Sequence, residues 1–167
     1  MNVKIIVFTL TLCAVFIHAQ GGPTGDSTLF DFWVGKWELT WDNADGTKGR
    51  GSNRIEKTLD GKVIQENFQD TNGFKGTSIS VYNTKNNTWH QAWADNQGGY
   101  FDLLGYVQGE KRMFQTSAKE SGGKKIIQRM VFYDIKADSL KWDWEMSTDN
   151  GQTWTLQWRI FYSRVKN

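Results

Sequence analysis

The chain has 167 residues and a net charge of +2, with nine Trp, one Pro and one Cys. This length suffices for one domain with a substantial core, and so small a net charge gives no reason to expect a nucleic-acid partner. With 38% hydrophobic and 23% charged residues, the composition excludes a disordered chain, and the single Cys excludes a disulfide scaffold.

The first predicted element is a secretory signal peptide over residues 1–19. Lys4 supplies a positive charge, residues 5–17 are nearly all apolar, and Ala19 is a small residue at a cleavage position. The apolar run is shorter than the roughly 20 residues of a spanning helix, which disfavours a membrane anchor. Cleavage would place the mature chain in the periplasm or outside the cell. It would also remove the only Cys, which excludes cysteine nucleophiles and cysteine-bound metals.

The mature part is predicted to contain a flexible segment over residues 20–28 and one domain over residues 29–167. The one helical candidate is the apolar stretch from Asp26 to Trp33, which we interpret as one or two helical turns that close one end of a sheet. No later stretch has a sustained helical period of apolar residues, so the rest of the domain is expected to be all-β.

Nine turn signals divide the domain into ten predicted strands. They are Asp45-Gly46, Asp60-Gly61, Asn72-Gly73, Asn86-Asn87, Gly98-Gly99, Gly109, Gly122-Gly123, Ala137-Asp138 and Asn150-Gly151. Several are Asn-Gly or Asp-Gly pairs, which supply the positive φ that tight hairpins require. The spacing between the signals fits strands of ordinary length joined by short loops.

Strict alternation of apolar and polar residues marks the strands near both ends of the domain. The residues predicted to share an apolar face are Trp37, Leu39 and Trp41, then Leu140, Trp142, Trp144 and Met146, and finally Trp154, Leu156, Trp158, Ile160 and Tyr162. Ten such strands would leave two long edges unless the sheet closes. The sequence therefore predicts an antiparallel up-and-down β-barrel, with a β-sandwich as the alternative that would need longer crossover connections.

The start of the first strand, Gly35-Lys36-Trp37 after a short helical turn, resembles the opening of lipocalins and related calycin barrels. This resemblance implies that Trp37 seals the closed end of the barrel beneath an arginine of the last strand, for which Arg159 and Arg164 are both candidates. Residues 59–105 also resemble an uncharacterised family of secreted bacterial lipocalin-like proteins, which implies the barrel but no function. That second resemblance is carried by Leu59-Asp60-Gly61-Lys62-Val63-Ile64-Gln65-Glu66, Gly76, Val81-Tyr82-Asn83, Trp89, Trp93-Ala94-Asp95-Asn96 and Leu104-Gly105.

The stretch from Ser147 to Trp154 fits the Asp-box pattern Ser-x-Asp-x-Gly-x-Thr-Trp, which is familiar from sialidase propellers. The pattern occurs once here, whereas a propeller repeats it from blade to blade. We therefore interpret it as a structural hairpin turn, in which Asp149 bonds its own loop and Trp154 packs beneath it.

Polar side chains that share the parity of the apolar face are the candidates for a site inside the barrel. This criterion, together with the inward Trp residues, selects Glu66, Gln91, Trp93, Asp95, Tyr100, Arg129, Trp144 and Trp158 as ligand-binding residues. Glu66 and Asp95 are also the candidate catalytic carboxyl groups. Arg129 is the expected partner of Glu66, which would make them either part of a site or a structural ion pair. Asp95 has an alternative role as a turn residue, and His90 is expected to face solvent.

Three functions are compatible with these residues. A secreted lipocalin-like barrel that binds a small apolar or aromatic molecule is favoured, because the inner face is rich in Trp and the usual catalytic residue types are scarce. The first alternative is an isomerase, cyclase or lyase that uses an interior carboxyl as general acid or base. The second is a carbohydrate-binding module, which would require exposed Trp platforms. No cofactor, metal, nucleic-acid partner or stable membrane insertion is predicted, and the oligomeric state stays open.

Overall fold

The computed structural model describes residues 25–166, so the predicted signal peptide lies outside the described residues. The elements are a 3-10 helix at Asp31–Trp33 and the strands β1 Gly35–Asp42, β2 Lys48–Thr58, β3 Val63–Asp70, β4 Lys75–Asn83, β5 Thr88–Asp95, β6 Tyr100–Gln108, β7 Lys111–Gln115, β8 Lys119–Ser121, β9 Lys124–Tyr133, β10 Ser139–Ser147 and β11 Thr155–Arg164. Within this part of the chain, no helix has the length and apolar character needed to cross a membrane.

The strands form a closed antiparallel barrel with ten strand positions. Each strand from β1 to β6 pairs with the next one along the chain, β7 pairs with β9, and β10 and β11 continue the series. The short β8 and β7 both pair with β9, at different heights, so together they occupy a single position. Pairing of β1 with β11 closes the barrel. All nine turn signals lie between strands, which confirms the predicted up-and-down barrel and excludes the β-sandwich.

Side-chain orientation follows the predicted alternation in most strands. The apolar residues of β1 and β10 face the interior, and Glu66 and Gln91 are buried inside as expected, with 4% and 2% of their surface exposed. In β6 and β9 the inward face is opposite to the predicted one. Phe101 and Met130 point inward, whereas Tyr100 and Arg129, which the sequence pattern predicts to line the interior, lie on the outer surface. Both of these strands carry apolar residues on each face, so alternation alone does not select the inner one.

A β-bulge in β11 corrects the prediction for the beginning of that strand. Trp158 pairs with Trp144, but the next pair joins Leu156 to Glu145, so Gln157 is an extra residue. A bulge of this kind turns the preceding side chains to the other face of the sheet. Leu156 is therefore 44% exposed, and Trp154 packs on the outer surface against Arg129 rather than in the interior.

The segment before β1 closes one end of the barrel. Phe30 and Trp33 are completely buried there, and the Phe30 ring stacks on Phe114 with 4.2 Å between ring centroids. The Arg164 guanidinium lies 4.0 Å from the centre of the Trp37 ring and donates hydrogen bonds to the carbonyl groups of Phe32 and Val34. The predicted closing turn is confirmed by this arrangement.

Of the two arginines proposed to cover Trp37, the structure therefore selects Arg164. Arg159 instead lies on the outer face of β11, where it donates two hydrogen bonds to Asp143 at 2.8 and 2.6 Å. The difference follows from parity, because Arg159 alternates with the inward residues Trp158 and Ile160.

Candidate ligand-binding site

The interior of the barrel has three layers with different chemistry. The closed end is filled with apolar side chains, the middle layer contains hydrogen-bonded polar groups, and the opposite end holds a cavity of about 180 Å³. We call this cavity the aromatic cup. Its lining consists of Glu66, Phe68, Phe74, Trp93, Asp95, Phe101, Met130, Trp142, Trp144, Trp158, Ile160 and Tyr162.

The walls of the aromatic cup are formed largely by tryptophan rings, two of them parallel and a third nearly perpendicular to them. Trp142 and Trp144 alternate along β10, so both point inward, and their rings are parallel within 7° at 6.3 Å between centroids. Trp158 faces Trp144 across the β10–β11 pair, and its ring is almost perpendicular to Trp142 at 5.9 Å. Phe101 meets Trp144 from the side at 5.2 Å. These rings are only partly buried, so a molecule entering the cup can contact both ring faces and ring edges.

The floor of the cup is the buried carboxyl group of Glu66, which receives hydrogen bonds from neighbouring side chains. Glu66 accepts hydrogen bonds from Asn53 Nδ2 and Ser78 Oγ, both at 2.7 Å. The Tyr162 hydroxyl accepts a bond of 3.2 Å from the same Asn53 amide. Four different strands supply these residues, so the floor depends on closure of the barrel. The sequence pattern predicts the inward direction of Glu66 but not this set of partners.

Burial controls the protonation states of Glu66 and Tyr162, the two titratable groups of the floor. It raises the pKa of Glu66 to about 7, although the hydrogen bonds from Ser78 and Asn53 act in the opposite direction. Burial and the adjacent Glu66 charge also raise the pKa of Tyr162, which stays protonated at physiological pH. Near pH 7 the floor therefore combines a phenol with a carboxyl group that is about half ionised.

The polar layer extends below the cup through Gln91. Its side-chain nitrogen donates to Ser78 Oγ at 3.2 Å and to Ser80 Oγ at 3.0 Å. Among the described residues, no donor reaches Gln91 Oε1 or Asn53 Oδ1, although both atoms are buried. Gln91 thus lies behind the floor rather than in the lining, and it supports Glu66 through the hydroxyl of Ser78.

Asp95 stands at the rim and differs from Glu66 in its protonation. Its carboxylate accepts hydrogen bonds from the backbone N–H groups of Gln97 and Gly99 and from the Trp93 indole N–H. Burial alone would raise the pKa of Asp95, but these hydrogen bonds outweigh it and the pKa lies below its usual value. Asp95 therefore carries a negative charge at neutral pH, orders the β5–β6 turn and orients the Trp93 ring.

The structure brings together five of the eight residues predicted to bind ligand. Glu66, Trp93, Asp95, Trp144 and Trp158 line the cup, and Gln91 lies in the layer below it as described above.

The remaining two predicted residues face away from the cup. The Tyr100 hydroxyl donates a hydrogen bond to Asp102 on the outer surface. Arg129 forms an ion pair of 2.6 Å with Glu145, and its guanidinium lies 3.6 Å from the centre of the Trp154 ring. The expected pairing of Arg129 with Glu66 does not form, because the two side chains lie on opposite faces of the sheet.

Sequence reasoning missed several residues of the site. The alternation places Tyr162 and Trp142 on inward faces, and this parity is the signal that could have included them. Asn53 and Ser78 had no such signal, since they lie in strands with few large apolar residues. Phe101 is missed because the sequence pattern selects the face of Tyr100 in β6, which points outward.

Two other motifs lie away from the cup. In the Asp-box loop, the Asp149 carboxylate accepts bonds from the Thr153 hydroxyl and from backbone N–H groups, which lower its pKa. This is the geometry of a structural turn. His90 is exposed on the outer face of β5. Over residues 25–166, no group of three or more His, Cys, Asp or Glu side chains is placed to hold a metal ion.

Comparison with known proteins yields no match at the level of sequence. No family model matches the chain, and no curated protein is similar to it. The closed antiparallel barrel of ten strand positions is nevertheless consistent with a lipocalin-like fold. Any assignment of function therefore depends on the chemistry of the cup itself.

Proposed function

We propose that the protein is a secreted barrel that binds a small, mainly aromatic molecule in the aromatic cup. The observation that carries this proposal is the lining, in which eight of the twelve residues are aromatic and surround a buried carboxyl group. Ligand pockets typically combine such apolar walls with a few polar groups that fix orientation. The signal-peptide pattern of residues 1–19 supports a location in the periplasm or outside the cell.

The size of the cup restricts the ligand. Its volume of about 180 Å³ is only slightly larger than an apolar cavity of roughly 150 Å³ that accommodates benzene. It is smaller than the roughly 300–1,000 Å³ of pockets that hold drug-sized molecules. We therefore expect a single aromatic ring with a short substituent rather than a long lipid or a fused polycyclic compound.

The floor restricts the orientation of that ligand. Glu66 and the Tyr162 hydroxyl are the polar groups at the bottom of the cup, while the walls are apolar. A ring that stacks among Trp142, Trp144 and Trp158 would direct a polar substituent down to this pair. Placing that substituent elsewhere would desolvate it without a hydrogen-bond partner.

Removal of one cup tryptophan tests the proposal. We expect Trp144→Ala to weaken binding of 2-phenylethanol by about tenfold, because it removes a ring from the wall at a cost of roughly 1–2 kcal/mol. Isothermal titration calorimetry measures this effect. Trp154→Ala is the matched control, since Trp154 packs on the outer surface. Titration curves that are identical for both variants and the unmodified protein would exclude the cup as the binding site.

Native mass spectrometry of protein purified from its own host complements this test. A retained small molecule within the size range of the cup would identify the ligand class directly. A retained molecule much larger than a substituted single ring would contradict the proposed site.

Catalysis is a second candidate function, favoured specifically by the ionisation of Glu66. A carboxyl group with a pKa of about 7 can give and take protons at neutral pH. An isomerase, cyclase or lyase acting on a small aromatic compound would use Glu66 in this way. To test for catalysis, the retained molecule is incubated with excess protein and its mass spectrum is compared before and after. Conversion by the unmodified protein that is lost in Glu66→Gln would support a catalytic function. Stoichiometric binding without conversion would contradict it.

The carbohydrate-binding alternative receives less support. All nine Trp residues lie in the described part of the chain, and each of them is buried or partly buried. Sugar-binding platforms require ring faces that are open to solvent. Phe101 and Trp158 meet the parallel rings of Trp144 and Trp142 at steep angles, so the rings of the cup enclose a cavity instead of forming a flat surface.

A further inference from the structure

We propose that the aromatic cup selects organic cations, specifically a compound with one aromatic ring and a short ammonium substituent whose charged group lies above Glu66, at the lower edge of the tryptophan walls. This inference rests on the proposed function, because it names the chemical class of the ligand for the same cavity. It stands on three observations: the charges of the lining, the arrangement of the rings, and the hydrogen bonds of the floor.

The charged residues of the lining are all acidic. The twelve residues around the cup include two carboxyl groups, Glu66 and Asp95, and no Lys, Arg or His. The arginines of the neighbouring strands are held elsewhere: on the outer surface, Arg129 pairs with Glu145 and Arg159 pairs with Asp143. A cationic ligand would therefore meet attraction from the floor and the rim, whereas an anion would be repelled by both.

The aromatic walls favour the same sign of charge. The face of an indole ring carries negative electrostatic potential, and Trp is the best of the aromatic side chains for binding a cation. Trp93, Trp142, Trp144 and Trp158 all line the cup. Because the Trp158 ring is nearly perpendicular to Trp142, rings approach a bound group from more than one direction. Such partial cages are the arrangement that recognises alkylated ammonium groups in proteins.

Within residues 25–166, no positively charged side chain reaches the floor to balance Glu66. Its two hydrogen bonds come from neutral donors, Asn53 and Ser78, and the nearby Tyr162 is also neutral. An ionised carboxylate that is buried without a partner of opposite charge is strongly disfavoured. A bound ammonium group would supply that partner, and each carboxylate oxygen keeps lone-pair capacity to accept a bond from it.

The test uses three probes with the same ring and a two-carbon side chain. They are 2-phenylethylamine as the cation, 2-phenylethanol as the neutral compound and phenylacetate as the anion, each titrated by calorimetry at pH 8. We expect the amine to bind at least about tenfold more tightly than the alcohol, and phenylacetate to bind more weakly than either.

The variant Glu66→Gln separates the contribution of the carboxylate charge to binding from the contribution of side-chain size. The variant keeps the size of the side chain and an acceptor oxygen, so we expect it to lose about tenfold in affinity for the amine while affinity for the alcohol changes little. Glu145→Gln is the matched control, because Glu145 lies on the outer surface and pairs with Arg129. It should leave both affinities unchanged.

The pH dependence supplies a second readout. The titratable groups that face the floor are Glu66 and Tyr162, with Asp95 at the rim, and only Glu66 changes its charge between pH 6 and pH 8. The amine stays protonated over this range. We therefore expect its affinity to rise with pH as Glu66 ionises, while the affinity of the alcohol does not.

The outcomes distinguish the two proposals. If the alcohol binds as tightly as the amine, the preference for cations is wrong and the proposed binding function stands. An equal loss for both probes in Glu66→Gln would likewise overturn the role of charge. If none of the three probes binds, both the cation preference and the proposed site are wrong.

Discussion

The two ends of the barrel are built from the same kinds of residues but differ in how they are filled. At the closed end, Phe30, Trp33, Phe114 and Phe132 are at most 1% exposed and pack ring against ring. At the other end, six of the eight aromatic rings of the aromatic cup are only partly buried, and the rings enclose a cavity of about 180 Å³. Aromatic content alone therefore does not distinguish a core from a binding site.

The difference between the ends comes from one short segment of chain. Phe30 and Trp33 belong to the stretch that crosses the barrel before β1, and they occupy the space that would otherwise lie between the strands. At the cup, the loops between strands contribute Phe74 to the lining but leave the cavity open. A segment that inserts its side chains thus fills the closed end. No such segment covers the other end in the described part of the chain, and a cavity is left there.

Truncation of one ring at each end should give the largest contrast. We expect Phe30→Ala to lower the free energy of unfolding by about 3–5 kcal/mol, since it creates a cavity in a fully packed region. Phe101→Ala removes a partly buried ring that already borders a cavity, so its cost should be about 1–2 kcal/mol. Urea unfolding measures both. Equal losses for the two variants would contradict the view that only the closed end is a core.

The polar layer between the two ends should make stability depend on pH. Because burial raises the pKa of Glu66 from 4.5 to about 7, its ionisation opposes folding, and stability should fall as pH rises between these two values. The shift corresponds to roughly 3 kcal/mol. Unfolding measured at pH 5 and at pH 8 should show most of this loss in the unmodified protein and little of it in Glu66→Gln. The same decline in both proteins would assign it to other groups.

Substitution of Arg164 should lower the free energy of unfolding by less than the largest changes above. It tests how the segment before β1 is held at the closed end. Arg164→Ala removes hydrogen bonds to the carbonyl groups of Phe32, Val34 and Ala137, and we expect a loss of about 2 kcal/mol. Arg54→Ala is the matched control. The ion pair of Arg54 with Glu56 is largely exposed and should contribute less than about 0.5 kcal/mol to the free energy of unfolding. Thermal unfolding compares the two, and similar midpoints for both variants would contradict a locking role for Arg164.

The sequence was most informative where each strand had one clearly apolar face. In β1, β5 and β10 the alternation correctly predicts which residues face inward, and the turn residues predict every connection except the one between β7 and β8. In β9, by contrast, Val131 is buried on the outer face while Met130 and Phe132 are buried inside. Such a strand satisfies the alternation rule in either orientation, so only its pairing with neighbours determines the register.

Two features of the candidate site could not be read from local patterns. The bulge at Gln157 interrupts an alternation that appears continuous from Trp154 to Tyr162, because a bulge is a property of the pair of strands rather than of one strand. The partners of Glu66 lie on β2 and β4, and their small polar side chains carry no signal of burial. Burial of such groups depends on the closed barrel around them.

The pairing of β1 with β11 also has a consequence for the kinetics of folding. The bonds from Arg164 to Phe32 and Val34 join residues 132 and 130 positions apart, and the barrel has no complete interior until the two terminal strands meet. Contacts between such distant parts of a chain are formed slowly, because the entropy of closing the loop is lost before the contact is gained. A nascent chain therefore holds open hairpins with unpaired edges until β11 has been synthesised, and the period before closure is its most aggregation-prone stage.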